Sequence, residues 1–389
     1  MIGLAIYMNN GATTWPKPEC VARAMADFLT GCGANLARGS ASARDMGTLD
    51  LVFTCRERLA SFFGGWEDDP RYVNFTANVT ESLNVVFKGY LKPGMKVLIS
   101  SMEHNAVVRP LRRLEARGVS VEVLQCDGEG FLHPSTLAKA LKESDVSLVA
   151  LSHCSNVCGT VQNLDAVAEV CREAAVPLVV DCAQTAGILS LDAEKLGLAA
   201  LCFTGHKGLF GPQGIGGILW KPDFAEKTEW FVEGGTGSFS HLELQPDTMP
   251  DKFEAGTPNL PGIAGLLAAL DWMEETGIEN IRRREESLGA LLLEGLLTLP
   301  GVRLSGRKTM DGRLPVFAVN FEGRDNGILA ARLSEDWGIE TRPGLHCAPL
   351  AHKTLGTFPG GALRLSPGWF STVDEVRKTV DALKAVLAS

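Results

Sequence analysis

The chain has no run of about twenty apolar residues, no block of like charge, no internal repeat and no low-complexity tract. Each absence closes off a class: a membrane-spanning helix, a charged interaction tail, a solenoid and a compositionally disordered linker. The first thirty residues lack the basic start, apolar centre and small-residue cleavage site of a secretory leader, so a cytoplasmic location is expected. Positive charge is also in short supply. Lys+Arg 37 against Asp+Glu 46 leaves a net charge of −9, with the basic residues scattered, so no nucleic acid and no anionic membrane surface is expected as a partner.

What is present is the composition of an ordinary folded protein: 389 residues, 45% hydrophobic and 21% charged. That length suffices for about two to three domains and a large core, with no need of disulfide staples. The ten cysteines lie at 20, 32, 55, 126, 154, 158, 171, 182, 202 and 347. Many sit in apolar strand- or helix-like text, as in Val179-Val180-Asp181-Cys182, and read as reduced, buried small hydrophobes. His153, Cys154 and Cys158 have no second ligand pair behind them, so no metal site is expected.

From about 80 to 220, short β-branched runs at 96–101, 121–125, 146–152, 177–181 and 199–204 alternate with helical periodicity at 105–117, 134–143 and 163–174. This rhythm predicts an α/β fold, a mostly parallel sheet covered by helices on both faces, with ligands gathering beyond the carboxyl ends of the strands. After Pro258 the pattern changes. Long helices are expected at 261–276 and 278–298, strands at 315–321, 339–343 and 362–366, and further helices at 326–336 and 373–387, together a smaller α+β unit. The Gly/Pro-rich stretches 208–217 and 356–361 are too short for linkers and read as functional loops.

Five segments carry side chains suited to chemistry. Phe203-Thr204-Gly205-His206-Lys207-Gly208 puts a lysine just past a buried strand, where desolvation and neighbouring positive charge make an amine competent to form an imine. By itself it fits a surface lysine on a glycine-rich turn equally well. Asp181 ends the strand at 177–181 and alone reads as a turn or helix cap. A lysine for an aldehyde and an acid for a pyridinium nitrogen, one βαβ step apart, are however the two groups a pyridoxal phosphate enzyme needs. Asn78-Val79-Thr80-Glu81-Ser82 opens a helical pattern and is either a phosphate cradle or a plain capped helix. Ser101-Met102-Glu103-His104-Asn105 brings an imidazole to the same sheet edge, to stack on a planar ring or to serve the fold. Arg342-Pro343-Gly344-Leu345-His346-Cys347-Ala348-Pro349-Leu350 sets a cysteine in a loop beside a histidine and an arginine. That is an accessible, electropositive setting that favours a thiolate, or else one more incidental thiol.

Together with Tyr7-Met8-Asn9-Asn10-Gly11-Ala12-Thr13-Thr14 and Arg364, these segments resemble the class-V aminotransferase family of fold-type I pyridoxal phosphate enzymes, and within it the cysteine desulfurases. The pattern Arg-x-Gly-x-His-Cys-Ala at 342–348 is similar to the short cysteine loop of Suf-type desulfurases and selenocysteine lyase-like proteins. The resemblance implies a three-layer αβα large domain at 15–257, and a smaller α+β domain from 1–14 and 258–389 that carries the cysteine loop.

It also implies roles. Lys207 would carry the pyridoxal 5′-phosphate, Asp181 would pair with its pyridinium nitrogen, Gln184 would approach the ring 3′-oxygen and His104 would stack on the ring. Val79, Thr80, Thr204 and His206 would hold the phosphate, and Thr257 would reach the phosphate of the other subunit of a homodimer. Asn156 and Arg364 would bind the substrate carboxylate, with Arg342 also at the substrate. Cys347 would take the sulfur as a persulfide, for delivery to an acceptor protein, as L-cysteine becomes L-alanine. Selenocysteine lyase activity, another class-V reaction such as transamination or β-elimination, and a cofactor-binding scaffold without turnover are the alternatives. Three positions depart from the pattern: Asn9 stands where related sequences often have Asp, Asn78 where they often have Gly, and Leu345 where Suf-type loops usually carry a second His.

Overall fold

The computed structural model describes residues 5–36 and 42–388; residues 1–4 of the expected smaller unit and the side chain of Cys32 fall outside that set. The chain begins with a short strand β1 (Ile6–Tyr7) and helices α1 (Glu19–Asp27) and α2 (Ala43–Phe62). It then enters the central sheet through β2 (Val73–Thr76) and α3 (Val79–Tyr90). The βαβ rhythm follows as β3 (Lys96–Ser100), α4 (Asn105–Glu115), β4 (Ser120–Leu124), α5 (Pro134–Glu143), β5 (Leu148–Ser152), α6 (Leu164–Glu173) and β6 (Leu178–Asp181). After the short α7 (Ala193–Leu196), β7 (Ala200–Thr204), β8 (Gly216–Trp220) and α8 (Pro222–Lys227) complete it.

The seven strands lie in the order β2-β8-β7-β6-β5-β3-β4. Every pairing that does not involve β8 is parallel, and β8 runs antiparallel to both neighbours. The carboxyl ends of β2, β3, β5, β6 and β7 therefore share one edge, as expected for this fold class. Alternation along each strand feeds two cores. Leu98, Val149, Leu151, Val180 and Leu201 pack on one face, while Val97, Ile99, Ala150, Val179 and Cys202 pack on the other.

All five expected strands form, with their ends moved by no more than two residues. Two further strands escaped the β-branched pattern. β8 starts Gly216-Gly217 because a Cβ at Gly217 would lie 2.5 Å from the Asn74 carbonyl, and one at Gly216 would lie 2.7 Å from the Phe203 carbonyl. These glycines let β8 fit between β2 and β7, so part of the glycine run serves strand packing.

Beyond the sheet come α9 (Leu260–Thr276), α10 (Ile278–Leu297), β9 (Val302–Ser305), β10 (Phe317–Phe321) and α11 (Asn326–Trp337). The chain closes with β11 (Ile339–Glu340), β12 (Arg342–Gly344), α12 (Pro349–Thr354), β13 (Ala362–Leu365) and α13 (Val373–Ala388). An antiparallel sheet in the order β12-β13-β10-β9 carries its own core, with Leu288, Phe317, Val319, Leu363 and Leu383. The strand expected at 339–343 is split: β11 pairs with β1, and β12 pairs with β13. The expected boundary at 257/258 cuts ahead of α9, yet α9 packs on α1 and α2 and its Ile263, Leu266 and Met273 join the large core. The two cores instead meet within α10, where Ile281 belongs to one and Leu288 to the other.

The turn after β6 touches the turn after β7 through Gly187, whose φ is +86° and whose Cβ would stand 2.0 Å from the Gly208 carbonyl. Both the conformation and the space require glycine. Gly187→Ala is expected to lower stability by more than about 1 kcal/mol, read as a lower urea midpoint at unchanged slope.

Candidate active site

Lys207 follows β7 at the shared strand edge, and its backbone is gripped from the amino-terminal segment. The carbonyl of the preceding His206 accepts from the Thr14 N–H (3.1 Å), the Thr13 hydroxyl (3.0 Å) and the Lys17 ammonium (2.7 Å). The Thr14 hydroxyl donates to the Lys207 carbonyl at 3.1 Å. Desolvation lowers the Lys207 amine to about 8, an effect that nearby Arg364 and Arg342 reinforce and Asp181 opposes. A substantial neutral fraction at pH 7–8 follows, as imine chemistry requires.

Asp181 ends β6, buried, with one carboxylate oxygen accepting from the Ala183 N–H at 2.9 Å. Burial raises its pKa, against the pull of that hydrogen bond and of Lys207. His104 caps α4: its Nδ1 accepts from the Ala106 N–H at 3.0 Å. Desolvation, then Lys207 and Arg342, hold the imidazole down at about 4, so it presents a neutral ring at pH 7. Gln184 donates to the Gly11 carbonyl at 3.0 Å, and it lines one small cavity with Lys207, Thr14 and Ser366.

The fit of the chain to a phosphorylated ring rests on polar atoms without partners. The Thr204 hydroxyl and His206 Nδ1, from the residues just before Lys207, are buried and have no hydrogen-bond partner among the described residues. Asn78 caps α3 by accepting from the Glu81 N–H at 3.1 Å, leaving the N–H groups of Val79 and Thr80 as the helix's free donors. A hydroxyl, an imidazole and a helix N-terminus are donors suited to a phosphate. The departure at Asn78 thus supplies a helix cap. Thr257 is on an exposed loop and lines a groove of about 240 Å³ with Thr76, Ala77, Glu81 and Gly214, beside the start of α3.

Arg364 comes from β13 of the second sheet and is 2% exposed. Its guanidinium donates to the Asn156 carbonyl at 2.9 Å and to Asn9 Oδ1 at 3.0 Å, while its Nε has no partner among the described residues. The departure at Asn9 therefore keeps an acceptor for the arginine. Asn156 uses its own amide to hold the cysteine loop, donating to the His346 carbonyl at 2.7 Å. Arg342 is exposed, and its positive charge bears on Lys207, His104 and Arg364.

Cys347 is the only exposed cysteine of the nine described. Burial pushes the thiols of Cys55 and Cys171 up to about 12 and that of Cys126 up to about 11. His346 and Cys347 both have positive φ, +49° and +57°, a strained arrangement for side-chain-bearing residues. Anchors on both sides hold it: the Asn105 N–H donates to the Cys347 carbonyl at 2.7 Å, next to His104, and Asn156 holds His346.

The expected electropositive contribution of His346 is not there. Its ring is buried in a chain in which Nε2 meets the Arg342 carbonyl (2.9 Å) and Nδ1 meets His352 Nε2 (3.2 Å). His352 Nδ1 in turn meets the Thr357 hydroxyl (2.7 Å). One tautomer set satisfies all three contacts: Thr357 donates to His352, His352 to His346, and His346 to the carbonyl. Sequence reading passed over His352, Thr357, Lys17 and the buried Glu103; the only signal for Glu103 was its place immediately before His104.

Two predictions follow from this arrangement. Limited alkylation of the native protein near neutral pH should label Cys347 well ahead of the other described cysteines, as peptide mapping would show. Burial also holds His346 at about 3 and His352 at about 4, below the ordinary value of about 6.5. The unfolded chain then binds more protons than the folded one between those values. The stabilisation is fully present above about pH 6.5 and is lost as pH falls toward 4. His352→Gln should cost about 1 kcal/mol at pH 8 and give a shallower stability loss between pH 6.5 and 4.5, measured by denaturant titration at each pH.

The likeness to known proteins runs through the whole chain. The cysteine desulfurase of Haloferax volcanii is 30% identical over 98% of this chain and 89% of its own. The apo structure of cysteine desulfurase from Thermococcus onnurineus NA1 superposes with a TM-score of 0.91 at 30% identity, covering 99% of this chain and 95% of that one. The cysteine desulfurase CsdA (S-sulfonic acid) from Escherichia coli gives a TM-score of 0.85 at 28% identity, with the same coverage. The family described as Aminotransferase class-V matches residues 6–379. By that match and by its parallel-sheet fold, the chain belongs to the class-V aminotransferase family.

Proposed function

We propose that this protein is a pyridoxal phosphate-dependent cysteine desulfurase that converts L-cysteine to L-alanine and keeps the sulfur on Cys347 as a persulfide. The observation that carries the reading is the placement of Cys347. It is the exposed thiol of the described set, held on a strained, anchored loop at the strand edge that also bears His104, Asp181 and Lys207.

Pyridoxal phosphate, when bound, supplies an aldehyde to capture the substrate amine and a ring to withdraw electrons from its Cα. Lys207 would carry it at rest, and the same amine, once freed, would take the Cα proton, a role its lowered pKa suits. Asp181 would keep a proton on the ring nitrogen, and neutral His104 would offer the face of its imidazole. Gln184 would approach the ring oxygen. Thr204, His206, Val79 and Thr80 would hold the phosphate through the unpartnered donors described above. Arg364 and Asn156 would receive the substrate carboxylate, Arg364 through a two-pronged contact that its unpartnered Nε supports. Arg342 would add positive charge at the exposed mouth. Deprotonated Cys347 Sγ would attack the substrate sulfur, the S–Cβ electron pair would pass to Cβ, which takes up a proton to become the methyl of alanine, and an acceptor protein would later collect the sulfur. In a homodimer, Thr257 would lie at the partner's phosphate, which accords with its exposure.

Cofactor-loaded protein given L-cysteine should release alanine and show one extra sulfur on the Cys347 peptide by mass spectrometry. Cys347→Ala should lose more than about a hundredfold in desulfuration. Full activity in that variant would favour transamination or direct lyase chemistry instead. Arg364→Lys should raise KM at least about tenfold, because an ammonium cannot reproduce the planar guanidinium contact.

A further inference from the structure

Beyond Ser152, the strand neighbour of Asp181, lies a second carboxylate that the proposed reaction does not use. Glu103 is 0% exposed. Its Oε1 accepts from the Ser100 hydroxyl at 2.5 Å; its Oε2 accepts from the Ser152 N–H at 2.9 Å and from the Ser152 hydroxyl at 2.6 Å. Ser152 pairs directly with Asp181 across β5 and β6, so the two side chains leave the sheet side by side on one face. One hydroxyl, bonded to Glu103, thus stands beside a second buried carboxylate.

We propose that Glu103 is a positioning residue for the partner of the ring nitrogen. Through the Ser152 hydroxyl it sets whether Asp181 receives a hydrogen bond, and so how firmly a proton is held between Asp181 and the cofactor ring. The inference rests on the cofactor reading above and deepens it.

The two states follow from counting hydrogens. With Glu103 ionised, the Ser152 hydroxyl points to it, Asp181 goes without that donor, and a negative charge stands nearby; Asp181 becomes more basic and the ring proton is held tightly. With Glu103 protonated, its own O–H donates to Ser152, the Ser152 hydrogen turns to Asp181, and that charge is gone; the ring proton is held less tightly. Burial raises Glu103 to about 7 against the hydrogen bonds from Ser100 and Ser152, so both states fall within a working pH range. The titratable groups bearing on it are Asp181 from β6 and the thiol of Cys126, which follows β4; His104 is its neighbour in the chain.

The test uses the full-length protein loaded with pyridoxal phosphate, reading the pH dependence of its bound-cofactor absorbance and the affinity for the cofactor. Glu103→Gln mimics the protonated state, since its amide donates to Ser152 and turns the hydroxyl toward Asp181. The absorbance midpoint should move to lower pH by roughly half a unit or more, about a threefold loss in proton affinity. In a Ser152→Ala background the same substitution should move it by less than half as much. A profile unchanged in Glu103→Gln, or shifted equally in both backgrounds, overturns the proposal. Should Glu103→Gln fail to fold, Ser152→Ala alone is expected to raise the midpoint, and an unmoved midpoint overturns the proposal. Wild-type protein that takes up no pyridoxal phosphate overturns the cofactor reading itself, an outcome distinct from loaded protein with unshifted profiles.

Discussion

Arg364 ties the second sheet to the strand edge of the first. It sits on β13, yet its guanidinium is bonded to the carbonyl of Asn156, in the loop after β5, and to Asn9 of the amino-terminal segment. Burying a guanidinium without a carboxylate at contact is costly, and two neutral acceptors repay only part of that cost. Burial and Arg342 accordingly lower its pKa to about 10, which still leaves it fully charged near neutrality. A charge held this way, with Nε unpartnered, is matched by an anionic group entering from the open side, which is what the substrate carboxylate of the proposed reaction provides.

The cysteine loop depends on the same junction. Asn156 presents its backbone carbonyl to Arg364 and its side-chain amide to His346, so one residue registers the loop against the arginine. Two consecutive residues at positive φ persist only where their surroundings over-determine them. Here the Asn105 N–H, the Asn156 amide and the His346–His352–Thr357 chain supply that constraint. Keeping the histidines buried and neutral makes them anchors for Cys347, and its exposure is obtained by tying down everything around it. The amino-terminal segment acts alike at Lys207, where Thr13, Thr14 and Lys17 converge on one carbonyl.

Much of this was legible in the order of residues. The five strands with β-branched runs, and Lys207, Asp181 and His104 at their ends, follow from period and position, because a buried parallel strand leaves a readable apolar run and its carboxyl end can lie only at the ligand edge. The less legible elements had other causes. β8 opens in glycine text because close approach to its neighbours selects Gly216 and Gly217, leaving only three apolar residues to mark the strand. The segment at 339–343 reads as one strand, yet it divides at Thr341 between two sheets; that depends on which partners lie alongside. α9 resembles the start of a new unit in sequence and belongs by packing to the old one.

The sequence by itself determined the fold class, through periodicity, the family, through the motifs that resemble it, and the side chains available for chemistry, through residue types at strand ends and in loops. Only the tertiary structure decided how those side chains are employed. A histidine beside the cysteine proved to be a buried anchor, a glutamate beside His104 proved to be aimed at Asp181's neighbour, and an asparagine expected at the substrate proved to hold the loop. The physical reason is that burial and hydrogen-bond partners set a polar group's charge and direction, and both come from residues distant in the chain.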